Sequence, residues 1–211
     1  NSPDDSRKNI YALPSCITIL KNHYFNGESW PNMGDEGAAP VLKKYHYNPL
    51  QPRQETPIAQ THLSVRAFPL SHAHPNESAA FLVQSGADYA LYLGDTGPDE
   101  VEKSANLAQL WQAVAPLIKS KALRVIFMEV SYPSEQPDKQ LYGHLTPRWL
   151  MKEITSLSAL TGEQALNGFP IVITHIKPTG NNEATIRRQL AEANTLGLQL
   201  IYPEQGKRLE F

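Results

Sequence analysis

The stretch YLGDTGPDE (residues 92–100) ends an apolar run with a glycine, an acid, a hydroxyl, a second glycine and a proline. Many polar residues would satisfy such a turn, so Asp95 at its tip poses a choice. It serves the turn itself, as aspartate commonly does, or it serves a ligand lying above the strand.

Working outward, LSVRAFPL (63–70), AAFLVQS (79–85) and DYALYLG (88–94) are short β-type runs separated by turn residues. Past the turn, Leu107, Leu110, Trp111, Val114, Leu117 and Ile118 recur at spacings of three and four, which predicts a helix with one apolar stripe. Pro116 is expected to kink it. ALRVIFMEV (122–130) and PIVITHI (170–176) are continuous apolar runs suited to strands buried on both faces. TPRWLMKEITSL (146–157) opens a helix with Thr146 as N-cap and Pro147 at the first helical position. NNEATIRRQLAEANTLG (181–197) predicts another, with an Asn cap, Glu183 in the first turn and Gly197 as its stop; LQLIY (198–202) closes as a strand. Strands alternating with helices give an α/β layered architecture.

Residues 1–62 read differently. Apolar bursts such as IYALPSCITIL alternate with Pro- and Gly-rich polar stretches, predicting an irregular, insertion-rich segment with one short helix near residues 14–22. With 211 residues the expected organisation is a single domain, irregular over 1–62 and regular over 63–211. Its 19 Lys+Arg balance 21 Asp+Glu for a net charge of −2, which argues against a nucleic-acid surface. Cys16 is the single cysteine, so an internal disulfide and a thiolate metal site are excluded. No stretch approaches the ~20 apolar residues of a membrane span, and NSPDDSRKN is neither a signal nor a transit peptide. The compartment, periplasmic or cytoplasmic, stays open.

The strand ends carry the chemistry. FPLSHAH ends a strand with His72 and His74, YLGDTG with Asp95, VIFMEVS with Glu129 and VITHIKP with His175. Open α/β sheets bind ligands beyond the carboxyl ends of their strands, and imidazole with carboxylate is a ligand set for zinc and other divalent ions. Singly, each residue has an ordinary structural explanation; their succession is what points to a metal site.

The segments NSPDDSRKNIYAL, HYFNGESWPN, FPLSHAHPNESAAFLV, YLGDTGPD, FMEVSYPSEQPDKQLYGHLTP and VITHIKP, in this order and over nearly the whole chain, resemble the class II cyclic-nucleotide phosphodiesterases of the metallo-β-lactamase fold. The order of GDT, Glu, GH-x-T and a strand-end His also resembles the tRNA 3′-processing endonuclease of that superfamily, the nearest alternative. The superfamily's His-x-His-x-Asp-His motif does not occur in the 211 residues. The chain is therefore expected to correspond to the C-terminal two-thirds of such an αββα sandwich, and to be inactive by itself.

The resemblance implies roles. His72 (with His74 the weaker candidate), Asp95 and His175 match metal ligands, Asp95 bridging two divalent ions, zinc, with Gly94 and Gly97 easing the turn beneath it. His144 matches a proton donor to the leaving oxygen, and Glu129 the acid that orients it. A carboxylate behind an imidazole fixes its tautomer and favours the protonated ring, as a general acid requires. The implied reaction is hydrolysis of 3′,5′-cyclic AMP or GMP to the nucleoside 5′-monophosphate, a step in signal transduction. Trp30, Tyr45 and Tyr47 are candidates for an aromatic wall against the base. The implied partner is the cyclic nucleotide, without nucleic acid or membrane; a homodimer is left open, and a non-catalytic scaffold is the remaining alternative.

Overall fold

The computed structural model describes residues 6–162 and 164–211, so the first five residues of the NSPDDSRKNIYAL segment lie outside the described part. The chain divides into two compact units, Asn1–Ala67 and Phe68–Phe211.

In the first unit, β1 (Lys8–Ala12) pairs in parallel with β2 (Tyr45–Pro49), Lys8 opposite Tyr45. Between them α1 (Pro14–Ile19) starts on Pro14 and runs into a π-type turn, Leu20–Tyr24. β3 (Glu55–Pro57) pairs antiparallel with the first half of β4 (Leu63–Ser71), Glu55 opposite Arg66. Ala12, Ile17 and Tyr47 form a small core with Ile10, Leu20 and Phe25. The expected helix near 14–22 is present; the three strands of this segment were not expected. β1 and β2 lie far apart in sequence, and their parallel pairing needs a long crossover that leaves no local signal; β3 is only three residues long, too short to show a strand period. The aromatic wall needs correction too. Tyr47 is only 4% exposed and is used up as core, and Tyr45 packs on Phe25 with ring centroids 5.5 Å apart. Trp30 alone of the three stands free, at 60% exposure. Within this unit Asp35 receives His46 Nδ1 at 2.6 Å and Arg7 at 3.4 Å. Burial pushes its pKa up, but the His46 hydrogen bond and charge outweigh that and hold it below the usual carboxyl value.

The second unit takes over the end of β4 and adds β5 (Glu77–Ser85), β6 (Asp88–Leu93), β7 (Leu123–Glu129), β8 (Pro170–Thr174) and β9 (Gln199–Ile201), neighbours in that order. β5 and β6 are antiparallel; β6, β7, β8 and β9 are mutually parallel. The helices are α2 (Asp99–Glu102), α3 (Asn106–Lys119), α4 (Pro147–Thr161) and α5 (Asn182–Ala193). Alternate residues of the strands, Ala80 and Leu82, Leu91 and Leu93, Ile126 and Met128, meet helix residues Leu107, Trp111, Val114, Leu150, Ile154, Leu157, Ile186 and Leu190 in one core. Three parallel strands therefore end at one edge, at Leu93, Glu129 and Thr174.

Local signals place these helices. Thr146 Oγ1 accepts from Trp149 N at 3.4 Å, the expected N-cap, with Pro147 next. Pro116 falls in the last turn of α3, which continues to Lys119. The end of α5 differs from expectation. The helix stops at Ala193, and Asn194 ties the following loop by exchanging two hydrogen bonds with the Leu198 backbone, at 2.8 and 2.9 Å. Gly197 belongs to that loop, and Asn181 makes no side-chain cap.

α3 and α4 share a buried polar contact. Trp111 Nε1 donates to Glu153 at 3.2 Å, and Asp99 N donates to its other oxygen at 3.3 Å. Burial is the main cause that raises the Glu153 pKa, against the lowering pull of the Trp111 bond. A raised folded-state value means that this group's stabilisation is complete below the unfolded-state pKa and is lost as pH rises through the folded-state pKa. We expect the stability of the wild type relative to Glu153→Gln to decline as pH rises through and above the ordinary carboxyl range in urea melts at each pH. A difference independent of pH would reject this.

Candidate metal and catalytic site

The parallel strand ends bring the polar residues together. Gly94 N donates to Ala79 O at 2.9 Å and Gly97 N to Ser71 O at 3.0 Å, so the GDTG turn is tied to β5 and to the residue before His72. Neither glycine has a positive φ. Gly94 is favoured by space: a Cβ there would lie 3.0 Å from Ala79 O and 2.6 Å from Ser78 Oγ.

Asp95 does not hold its own turn. Thr96 N donates instead to Glu129 Oε1 at 3.1 Å. Beside Asp95 stands His175, whose Nε2 is 3.2 Å from Oδ2. Exposure separates the two acids. The Asp95 side chain is 38% exposed, open to a ligand, whereas that of Glu129 is 1% exposed.

Glu129 is a buried organiser. Besides Thr96 N it accepts from His144 Nδ1 at 2.7 Å, from Ser131 Oγ at 2.8 Å and from Leu145 N at 3.4 Å. A buried carboxylate with this many donors is stabilised in place. His144 thus carries its proton on Nδ1 and turns Nε2 away from Glu129. His72 is treated alike: its Nδ1 lies 2.9 Å from Gly143 O, which leaves Nε2 with the free lone pair. Ligand atoms of His72, Asp95 and His144 all fall within 4.8 Å of one another. The His144 ring also approaches those of His72 and His175, at 4.9 and 5.2 Å between centroids.

Five expected residues, His72, Asp95, Glu129, His144 and His175, therefore gather at one edge. His74 does not join them; it is exposed, and its backbone N–H donates to Glu102 at 2.9 Å. Imidazole nitrogens grouped around a half-buried carboxylate suit a divalent ion. His144 stands at ligand distance as well as in its hydrogen bond to Glu129. Two contributors escaped sequence reasoning. Ser131 Oγ lies 2.8 Å from Glu129 and 3.1 Å from His175 O, joining the ends of β7 and β8. Gly143, at φ +80°, lets its loop touch the backbone beside His72. A glycine beside a histidine was the signal available for it.

A Cβ on Gly143 would sit 2.2 Å from Ala73 N and 2.6 Å from the His72 carbonyl carbon, backbone atoms that cannot turn aside. Gly143→Ala is expected to break the His72 contact and to lower stability by about 2–4 kcal/mol, the left-handed penalty plus overpacking. Thermal unfolding with and without zinc measures it. An unchanged melting temperature would show that the loop yields.

The family described as class II cAMP phosphodiesterases matches residues 1–206. The chain is 44% identical over 215 residues to a 3′,5′-cyclic-nucleotide phosphodiesterase of Aliivibrio fischeri, covering 100% of this chain and 65% of that protein. It is 40% identical to a probable 3′,5′-cyclic-nucleotide phosphodiesterase of Yersinia pestis, covering 100% and 62%. Among solved structures, unliganded yeast PDE1 superposes with a TM-score of 0.85 at 26% identity, covering 96% of this chain and 60% of that one. The metallo-β-lactamase fold protein YhfI of Bacillus subtilis superposes at 0.60 with 12% identity, over 96% and 65%, a likeness of fold alone. The α/β architecture is thus of the metallo-β-lactamase type. The chain belongs to the class II cAMP phosphodiesterase family.

Proposed function

We propose that the protein, in its full length, hydrolyses the cyclic phosphodiester of 3′,5′-cyclic AMP or GMP to the nucleoside 5′-monophosphate, using two divalent ions, zinc. His72, Asp95 and His175 would hold the ions. Bound ions supply Lewis acidity toward the phosphate and lower the pKa of water toward ~7. The remaining work falls to the chain's own residues. Water oxygen bonds to phosphorus and releases a proton to solvent, the bond from phosphorus to the 3′-oxygen breaks, and His144, protonated on both nitrogens, gives its Nε2 proton to that oxygen. Glu129 keeps the Nδ1 proton in place and stabilises the charged ring.

The observation that carries this reading is the buried His144–Glu129 pair beside the half-buried Asp95. The family and the activities of the Aliivibrio and Yersinia relatives support the substrate class. The 211 residues carry part of the implied ligand set, so by themselves they are expected to turn over little or nothing. Cyclic AMP, cyclic GMP and a tRNA precursor, assayed side by side with the zinc-loaded full-length protein, test the function. Hydrolysis of a cyclic nucleotide supports it; cleavage of the tRNA precursor alone would replace it with the RNA-processing reading.

A further inference from the structure

Lys177 is placed in the site by a rigid backbone. Its N–H donates to Ser131 O at 3.2 Å and its carbonyl accepts from Thr179 N at 2.8 Å, with Pro178 between. Ser131 is the residue that joins the ends of β7 and β8, so the lysine stem starts from the same edge as Glu129 and His175. Its ammonium lies 3.0 Å from His175 Nε2, the nitrogen that is 3.2 Å from Asp95 Oδ2.

This is an unusual place for a cation. Among the described residues no carboxylate lies within ion-pair distance of Lys177, whereas Lys21, Lys152 and Lys207 each have one. An ammonium donates only, so in this arrangement it uses the His175 Nε2 lone pair. The same lone pair is the one His175 offers to an ion in the proposed function. Both cannot hold it. Once His175 is a ligand, the ammonium needs another acceptor, and two like charges at this range repel unless an anion lies between them.

We infer that Lys177 is a substrate-binding residue that pairs with a non-bridging oxygen of the anionic phosphodiester, and with the phosphate of the product. The inference rests on the phosphodiesterase reading of the site. A phosphate oxygen is the acceptor the reaction itself brings to this edge, and a flexible ammonium with three donors can follow it through the change of geometry at phosphorus. The competing role is a purely structural one, in which Lys177 props the His175 ring.

Full-length zinc-loaded protein separates the two. Lys177→Met should keep its zinc content and its fold. Its KM for cyclic nucleotide should rise about ten- to a hundredfold, the range of a charge-assisted hydrogen bond. Calorimetric titration with inorganic phosphate should weaken by a similar factor, and Lys177→Arg, which keeps the charge, should retain most of the phosphate affinity. Unchanged KM and phosphate affinity in Lys177→Met would overturn the inference. So would loss of zinc, which marks a prop for His175, or an equal loss of phosphate affinity in Lys177→Arg. If the wild type proves inactive on cyclic nucleotides, the function falls first, and the phosphate titrations still decide the role of Lys177.

Discussion

Asp95→Ala, made in the full-length protein, is expected to lose bound metal and cyclic-nucleotide hydrolysis together, activity falling on the order of a thousandfold or more, equivalent to about 4 kcal/mol of transition-state stabilisation. In the proposed site, without a carboxylate shared between them, two cations would repel and nothing would hold their spacing. Metal-free stability should barely change. The Asp95 side chain is 38% exposed, and the turn is held by Thr96 N on Glu129 and by Gly97 N on Ser71. Zinc content, turnover and the metal-free melting temperature are the measurements. Two equivalents of zinc with a wild-type rate would make Asp95 a turn residue; a large fall in metal-free stability would do the same by another route.

His144→Ala should behave differently. In the proposed role of proton donor, His144 would be dispensable for metal binding, so zinc content is expected to stay while the chemical step slows by ~10²–10⁴-fold. The loss should shrink for a nitrophenyl phosphodiester, whose leaving anion is stable without a proton. Glu129→Gln should show a weaker version, since it removes the charge behind the ring and leaves the ring. It also places an amide against donors from Thr96, Ser131 and His144, so its melting temperature should fall as well. Zinc analysis is the sharper readout, because His144 shares a 4.8 Å cluster with His72 and Asp95. Zinc lost from His144→Ala would make it a ligand. Equal losses for good and poor leaving groups would reject the proton-donor role.

The long apolar runs of β7 and β8, the stripe of α3 and the Thr146–Pro147 entry to α4 were legible because their causes are local. Burial on two faces, a 3.6-residue period and a cap each leave a mark within a dozen residues. β1 and β2 were not legible, since their pairing spans the whole intervening segment and each strand alone is only five residues long. Asn194 took over the end of α5 because its side chain could exchange two bonds with Leu198, a contact made only once the loop had folded back.

For the site, the sequence by itself determined which residue types stand at which strand ends: an imidazole after β4, acids after β6 and in β7, an imidazole after β8. Parallel order then places the last three at one edge. Tertiary structure decided their division of labour. Only packing could bury Glu129 under four donors while leaving Asp95 open, turn the Nε2 atoms of His72 and His144 away from their Nδ1 partners, and leave His74 outside. It also set the Lys177 ammonium beside His175. These outcomes depend on distances between residues 15 to 71 positions apart, set by strand register and loop contact, which no local pattern encodes.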